Sequence, residues 1–176
     1  MTPNVLFRLG AIAAALAGLL RVSSSFLVYS EPTVGRELLY LTIDLGILFG
    51  LLAIYFHQYV ELGKPGVAAF VVALSGTAII VGPDGFIGSV PMYQFGSTLL
   101  LGGLSAMAIL GWNAARIPRY ALASWLVSLA LGIGSTIPGA PPALVAWAGL
   151  ALGIGVLGAG LRIWSSASSA QDGGAS

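Results

Sequence analysis

Long apolar runs are the feature of this chain that most constrains its fold. Prolines lie at or near the ends of these runs: Pro3, Pro32, Pro65, Pro83, Pro91, Pro118, Pro138, Pro141 and Pro142. Because proline breaks a helix interior, this placement predicts six separate spans, near 5–28, 38–59, 66–82, 95–114, 119–137 and 142–164. A bilayer's hydrocarbon core takes roughly 20 apolar residues per helical crossing. The predicted fold is therefore all-α, a polytopic membrane protein with a bundle of six transmembrane helices.

The composition agrees with lipid as the solvent for most of the chain. Only 7% of the residues are charged, whereas an average soluble domain has about 25%. The net charge of +1 provides no basic patch, so no nucleic-acid partner is predicted. The chain has no cysteine, which excludes thiolate nucleophiles, thiolate metal sites and disulfides.

The chain divides into a transmembrane domain, residues 1–164, and a flexible polar tail, residues 165–176, rich in Ser, Ala and Gly. The start of the chain has the charged and apolar regions of a signal peptide, but no clean small-x-small cleavage site follows them. An uncleaved first helix is therefore favoured.

The basic residues of the short loops predict the orientation. With a cytoplasmic N-terminus, five of them lie on the cytoplasmic side: Arg8, Lys64, Arg116, Arg119 and Arg162. Arg36 alone then lies in an outer loop. The positive-inside rule predicts both termini in the cytoplasm. The expected location is the cell membrane, as a multi-pass protein of a prokaryotic inner membrane.

Two opposite charges lie inside the predicted spans. Arg21 and Asp44 are each about 10 Å below the outer boundary, because each residue of a helix rises 1.5 Å. A charge in hydrocarbon costs about 2.5–3.5 kcal/mol even on the most lenient insertion scale. We therefore expect the two side chains to face the bundle interior and to touch, directly or through one partner. They either bind a ligand or form a structural ion pair that fixes the first hairpin.

Hydroxyl side chains lie at a similar depth: Ser23, Ser24, Ser75, Thr77, Ser97, Thr98, Ser135 and Thr136. The predicted ligand-binding set consists of Arg21, Asp44, Ser24, Ser75, Thr77 and Ser97. The competing interpretation for each hydroxyl is a hydrogen bond to a carbonyl of its own helix.

No catalytic or metal-ligating group is predicted. His57 is the only histidine, and no cluster of His, Asp or Glu has metal-ligand spacing. Asp44 and Glu61 lie at opposite membrane depths, so they cannot act on one reacting atom. The sequence therefore predicts neither an enzyme nor a cofactor.

Small residues at four-residue spacing predict close helix packing. Gly46 and Gly50 form one G-x-x-x-G pair, and Gly149 and Gly153 form another. These glycines are also the predicted contact for a partner helix or a second copy of the chain. The remaining predicted partners are membrane lipids and a small-molecule ligand.

Six short helices in under 200 residues, with an A-x-x-x-A pattern between Ala11 and Ala17, resemble in outline the substrate-binding subunits of energy-coupling-factor vitamin transporters. The resemblance covers the architecture and that short stretch, and it assigns no binding residues. The sequence thus leaves two functions open. One is a small-molecule or lipid-binding component of transport with its site in the outer half. The other is a structural or assembly protein whose Arg–Asp pair only stabilises helix packing.

Overall fold

The chain folds almost entirely into helices in a computed structural model that describes residues 3–27, 33–81, 85–87 and 89–172. The helices are α1 (Pro3–Ser24), α2 (Val34–Val81), α3 (Met92–Gly111), α4 (Arg119–Gly134) and α5 (Ala143–Asp172). Two strands of two residues each, β1 (Phe86–Ile87) and β2 (Val90–Pro91), pair antiparallel just before α3. The all-helical prediction is confirmed.

The predicted count of six separate helices is not confirmed, because α2 covers both the second and the third predicted span. A straight helix of its 48 residues would be about 72 Å long, more than twice the thickness of a hydrocarbon core. Its backbone leaves helical geometry at Gly63, with φ 58° and ψ −158°, two residues before Pro65. The rings of Tyr55 and Phe70 stack with centroids 4.2 Å apart, although a straight helix would separate these residues by about 22 Å. Helix α2 therefore folds back on itself at Gly63, where only glycine takes a positive φ without strain.

Helices α1, α2, α3 and α5 are long and apolar enough to cross a membrane. Helix α4 has 16 residues and is a shorter apolar helix of about 24 Å. Large apolar side chains cover the outer surface of the bundle; Val60 is 69% exposed and Ile109 is 65% exposed. An outer surface of this kind indicates a membrane-embedded protein, because lipid makes no demand for polar groups there.

Helix α1 packs against α2 through small residues on both helices. A Cβ atom added to Gly46 would lie 2.7 Å from the Cβ of Ala17, and one added to Gly50 would lie 2.7 Å from the Cβ of Ala14. The two helices therefore approach as closely as their backbones allow, as small residues at this spacing predict.

The other face of α1 packs against α5 in the same way. A Cβ added to Gly153 would lie 2.8 Å from the carbonyl oxygen of Gly18. One added to Gly149 would lie 2.8 Å from Nη2 of Arg21. Both predicted G-x-x-x-G pairs thus form contacts within one chain, and a partner helix or homo-oligomer at these glycines stays a prediction.

The antiparallel packing gives the bundle two different ends. At the end that we call the basic end, Arg8 of α1 lies over the ring of Trp164 of α5, 5.0 Å from its centroid. Arg116, between α3 and α4, binds Glu61 near the bend of α2. The opposite end, where α1 ends and α3 begins, is called here the cavity end.

The ends of two predicted segments differ from the helices. Helix α1 ends at Ser24, four residues before the predicted end, and residues 28–32 lie outside the described part of the chain. Helix α5 continues to Asp172, through eight residues predicted as the start of the polar tail. The mobility of that tail stays a prediction.

Candidate functional site

A cavity of about 340 Å³ opens among the helices at the cavity end. Side chains from all five helices line it, including both arms of α2 through Ile47 and Ile80. Ligand sites in proteins range from about 300 to 1,000 Å³ and are mostly apolar, with a few convergent polar groups. Leu100, Leu101 and Leu152 supply apolar walls here. The cavity therefore has the size and the character of a small-molecule site.

Arg21 reaches the cavity from the last turn of α1. Its guanidinium lies over Gly149 of α5: a Cβ added there would be 2.8 Å from Nη2, 3.0 Å from Cζ and 3.1 Å from Nε. The missing side chain at position 149 therefore makes the space in which the guanidinium lies. The predicted helix-packing glycine is also a glycine of the candidate site.

Asp44 reaches the same cavity from α2 and is half-buried, as is Arg21. The Arg21 charge acts electrostatically on the Asp44 carboxylate. No hydrogen bond or ion pair joins the two side chains in the described part of the chain, where the salt bridge found is that of Arg116 with Glu61. The two charges share a cavity, as predicted, but the predicted direct contact is absent.

Ser97 is the predicted hydroxyl that lines the cavity, together with Thr98, Ser135 and Thr136 at similar depth. The Ser97 hydroxyl donates to the carbonyl oxygen of Tyr93 at 2.7 Å, and that of Thr98 donates to the carbonyl oxygen of Gln94 at 2.9 Å. The hydroxyl protons are therefore used locally, and the oxygen lone pairs remain available as acceptors.

Three predicted site residues do not line this cavity. Ser24 is 4% exposed and donates to the Arg21 carbonyl oxygen at 2.9 Å. Thr77 is 1% exposed and donates to the Ala73 carbonyl oxygen at 2.9 Å. The Ser75 side chain is exposed on the outer surface of α2. For Ser24 and Thr77 the competing interpretation, a hydrogen bond to the residue's own helix, describes the structure.

Several lining residues were not predicted. Tyr93 and Gln94 come from the first turn of α3, and Ser128 from α4. Ser128 is completely buried, and its hydroxyl donates to the Ala148 carbonyl oxygen of α5 at 2.8 Å. A serine in the middle of an apolar run was the available signal for it, because a buried hydroxyl needs a partner across the helix interface.

Below the cavity, the bundle core contains two polar groups without a partner in the described part of the chain. Both amide atoms of Gln58 and the indole nitrogen of Trp125 are buried and form no hydrogen bond there. Gln58 is 0% exposed and packs against Gly111, where an added Cβ would be 2.8 Å from Oε1. No group of three or more His, Cys, Asp or Glu residues that could hold a metal occurs among the described residues.

The basic end is closed by a salt bridge between the bend of α2 and the loop before α4. Nε and Nη2 of Arg116 both lie 2.7 Å from Oε1 of Glu61. A hydrogen bond from its own backbone amide lowers the pKa of Glu61, and the bond from Arg116 lowers it further. Ala115, next to this arginine, has φ 54°, a conformation that side chains rarely adopt. The salt bridge therefore holds a strained loop against α2.

Comparison of the chain with protein-family models, with curated proteins and with solved structures finds no match.

Proposed function

We propose that this protein binds a small molecule, as a component of membrane transport, in the cavity lined by Arg21 and Asp44. The observation that carries the proposal is that the two opposite charges line one cavity without bonding each other. Ionisable residues inside membrane spans are costly and mark binding sites or ion pathways by default. A ligand that bonds both groups would supply the hydrogen bonds that the pair does not supply to itself.

The proposed topology has six crossings, with each arm of α2 as one crossing and both termini in the cytoplasm. The stacking of Tyr55 on Phe70 supports two antiparallel arms. The basic end supports the orientation, because Arg8, Arg116 and Arg162 lie in cytoplasmic segments under the positive-inside rule. The cavity then faces the outer half of the membrane.

The second candidate function is a structural or assembly protein in which the pair only stabilises helix packing. The position of the Arg21 guanidinium against Gly149 favours it, since the attraction of Asp44 then ties α1 and α2 to α5. In that case the charges contribute to stability and need no ligand.

Native mass spectrometry of the purified protein separates the two functions. The proposal predicts a bound small molecule or lipid on the wild-type chain, lost in Arg21→Ala and in Asp44→Ala. Ser75→Ala is the matched control, because Ser75 is exposed outside the cavity, and it keeps the bound mass.

Unfolding of the same variants completes the test. If both single variants are destabilised, the double variant recovers stability and no bound mass is found, the pair is structural and the binding proposal is refuted. Arg21→Gln replaces Arg21→Ala if the alanine variant does not fold.

A further inference from the structure

The charges of the cavity specify more than a binding site. Arg21 and Asp44 are the two charged residues that line it in the described part of the chain, and they carry one positive and one negative charge. Resting on the proposed function, we infer that the ligand is a small zwitterion. Its anionic group binds the Arg21 guanidinium and its ammonium group binds the Asp44 carboxylate.

A ligand with one charge would satisfy only half of this cavity. An anion would gain the guanidinium but would face the Asp44 carboxylate across the same small space. A cation would gain the carboxylate and face Arg21. Like charges placed opposite each other suppress binding of the wrong partner. A ligand that carries both charges meets an attractive group at each.

The hydroxyls of the cavity favour an ammonium group as the second charge. Ser97, Thr98, Ser128, Ser135 and Thr136 each donate their hydroxyl proton to a backbone carbonyl oxygen. Their oxygens therefore face the cavity as acceptors, without a proton to donate. An ammonium group has three donors and no acceptor, so it matches these oxygens together with the carboxylate.

The anionic group has its own donors. The Arg21 guanidinium can form two parallel hydrogen bonds to a carboxylate or a phosphate. Helix α3 begins at the cavity with Tyr93 and Gln94 in its first turn, and the start of a helix carries a positive partial charge. Both features favour an anion on this side.

The size of the cavity limits the rest of the ligand. A volume of about 340 Å³ equals that of about eleven water molecules, at about 30 Å³ each in the liquid. Isoleucine and leucine side chains supply the apolar walls. This volume suits a free amino acid with an apolar side chain, or the zwitterionic headgroup of a lipid whose chains stay in the bilayer.

A panel of matched compounds tests the inference through the thermal unfolding temperature of the full chain in detergent. L-leucine is the zwitterion; 4-methylpentanoate lacks its ammonium and 3-methylbutylamine lacks its carboxylate. Glycerophosphoethanolamine is the lipid-headgroup arm. In the wild-type chain we expect leucine or the headgroup to bind about tenfold or more tightly than either single ion, and to raise the unfolding temperature accordingly. The tighter of the two zwitterions identifies the source.

Two charge variants make the test specific. Asp44→Asn leaves a net positive cavity and should shift the preference to 4-methylpentanoate. Arg21→Gln leaves a net negative cavity and should shift it to 3-methylbutylamine. Ser75→Ala should keep the wild-type order. If one of these charge variants does not fold, the wild-type panel and the other variant still decide.

The contrary results are distinct. If a single ion binds the wild-type chain best and the charge variants do not exchange the preference, the zwitterion is refuted while a binding site remains. If no compound raises the unfolding temperature of the wild-type chain, the zwitterion is also refuted. Only the further absence of a bound mass in native mass spectrometry removes the proposed function with it.

Discussion

The contact between α1 and α5 carries the first prediction, because it positions Arg21 over the site. In Gly18→Ala, the added Cβ would lie 2.7 Å from the Gly153 carbonyl oxygen and 2.8 Å from the Leu157 Cα, and it would also contact the Leu157 nitrogen. These are backbone atoms, which cannot rotate away as the end of a flexible side chain can. Carbon atoms need about 3.5 Å or more, so the helices must separate by about 0.7 Å.

The cost of this separation has two parts. A gap of about 0.5–1 Å removes a quarter to a half of the attraction of each neighbouring contact, and overpacking of a well-packed core costs about 1–3 kcal/mol. Alanine offsets about 0.5–1 kcal/mol of this through its better helix propensity. The matched control is Gly102→Ala in α3, where an added Cβ has nothing within 4 Å. The propensity gain is shared by both variants, so their difference isolates the steric cost.

Reversible unfolding of both variants in mixed micelles measures that difference. We expect Gly18→Ala to have a free energy of unfolding about 1–3 kcal/mol below that of Gly102→Ala. Equal free energies would refute the close approach of α1 and α5 at Gly18.

Three further predictions concern the site, the basic end and the core. Gly149→Ala puts a Cβ 2.8 Å from Nη2 of Arg21; the flexible guanidinium should move, so ligand affinity should fall while the free energy of unfolding changes by less than about 0.5 kcal/mol. Glu61→Gln removes the carboxylate that Arg116 binds. The pKa of Glu61 is lowered from 4.5 in the folded chain, so its contribution is complete above pH 4.5 and is lost as the pH falls through the folded-state pKa; unfolding between about pH 7 and pH 3.5 should show a smaller loss of stability in the variant than in the wild type. Gln58→Leu removes two buried amide atoms without partners and should raise the free energy of unfolding by about 1–3 kcal/mol.

Each of these has a control in the chain. Gly132→Ala adds a Cβ at ordinary contact distance, 3.4 Å from Leu101 Cδ1, in the same cavity, so it should leave the guanidinium in place. Glu37→Gln lies at the cavity end and should keep the wild-type acid dependence. Gln94→Leu changes an exposed glutamine and should not stabilise the chain. A weaker ligand with Gly132→Ala, an acid profile unchanged by Glu61→Gln, or destabilisation by Gln58→Leu would contradict the respective arguments.

Depth in the bundle was predictable from the sequence, and the direction of each side chain was not. Ser75 and Ser97 lie at similar depth because depth follows from the rise per residue. Yet Ser97 lines the cavity and Ser75 points outward. Direction changes by 100° with each residue of a helix, so it depends on which neighbouring helix packs on which face. That packing is decided by contacts such as Gly18 with Gly153, far apart in sequence.

The missing contact between Arg21 and Asp44 has a similar cause. Pairing was expected because it is the most economical way to place two charges in hydrocarbon. Gly149 gives the guanidinium a place against α5 instead, and a cavity of about 340 Å³ receives both charges. The glycine at position 149 was visible in the sequence, but its spacing with Gly153 indicated only helix packing.

Labelling of single cysteines tests the central claim most directly, because the chain has no native cysteine. The claim is that lipid surrounds the bundle and that its cavity opens to the outer side. With a membrane-impermeant maleimide, Ser97→Cys should react in intact cells and Lys64→Cys only after permeabilisation. Ser75→Cys should react under neither condition, because its exposed side chain then faces lipid. A Ser75→Cys variant that reacts as readily as Lys64→Cys, or a Ser97→Cys variant that reacts only after permeabilisation, would contradict the claim.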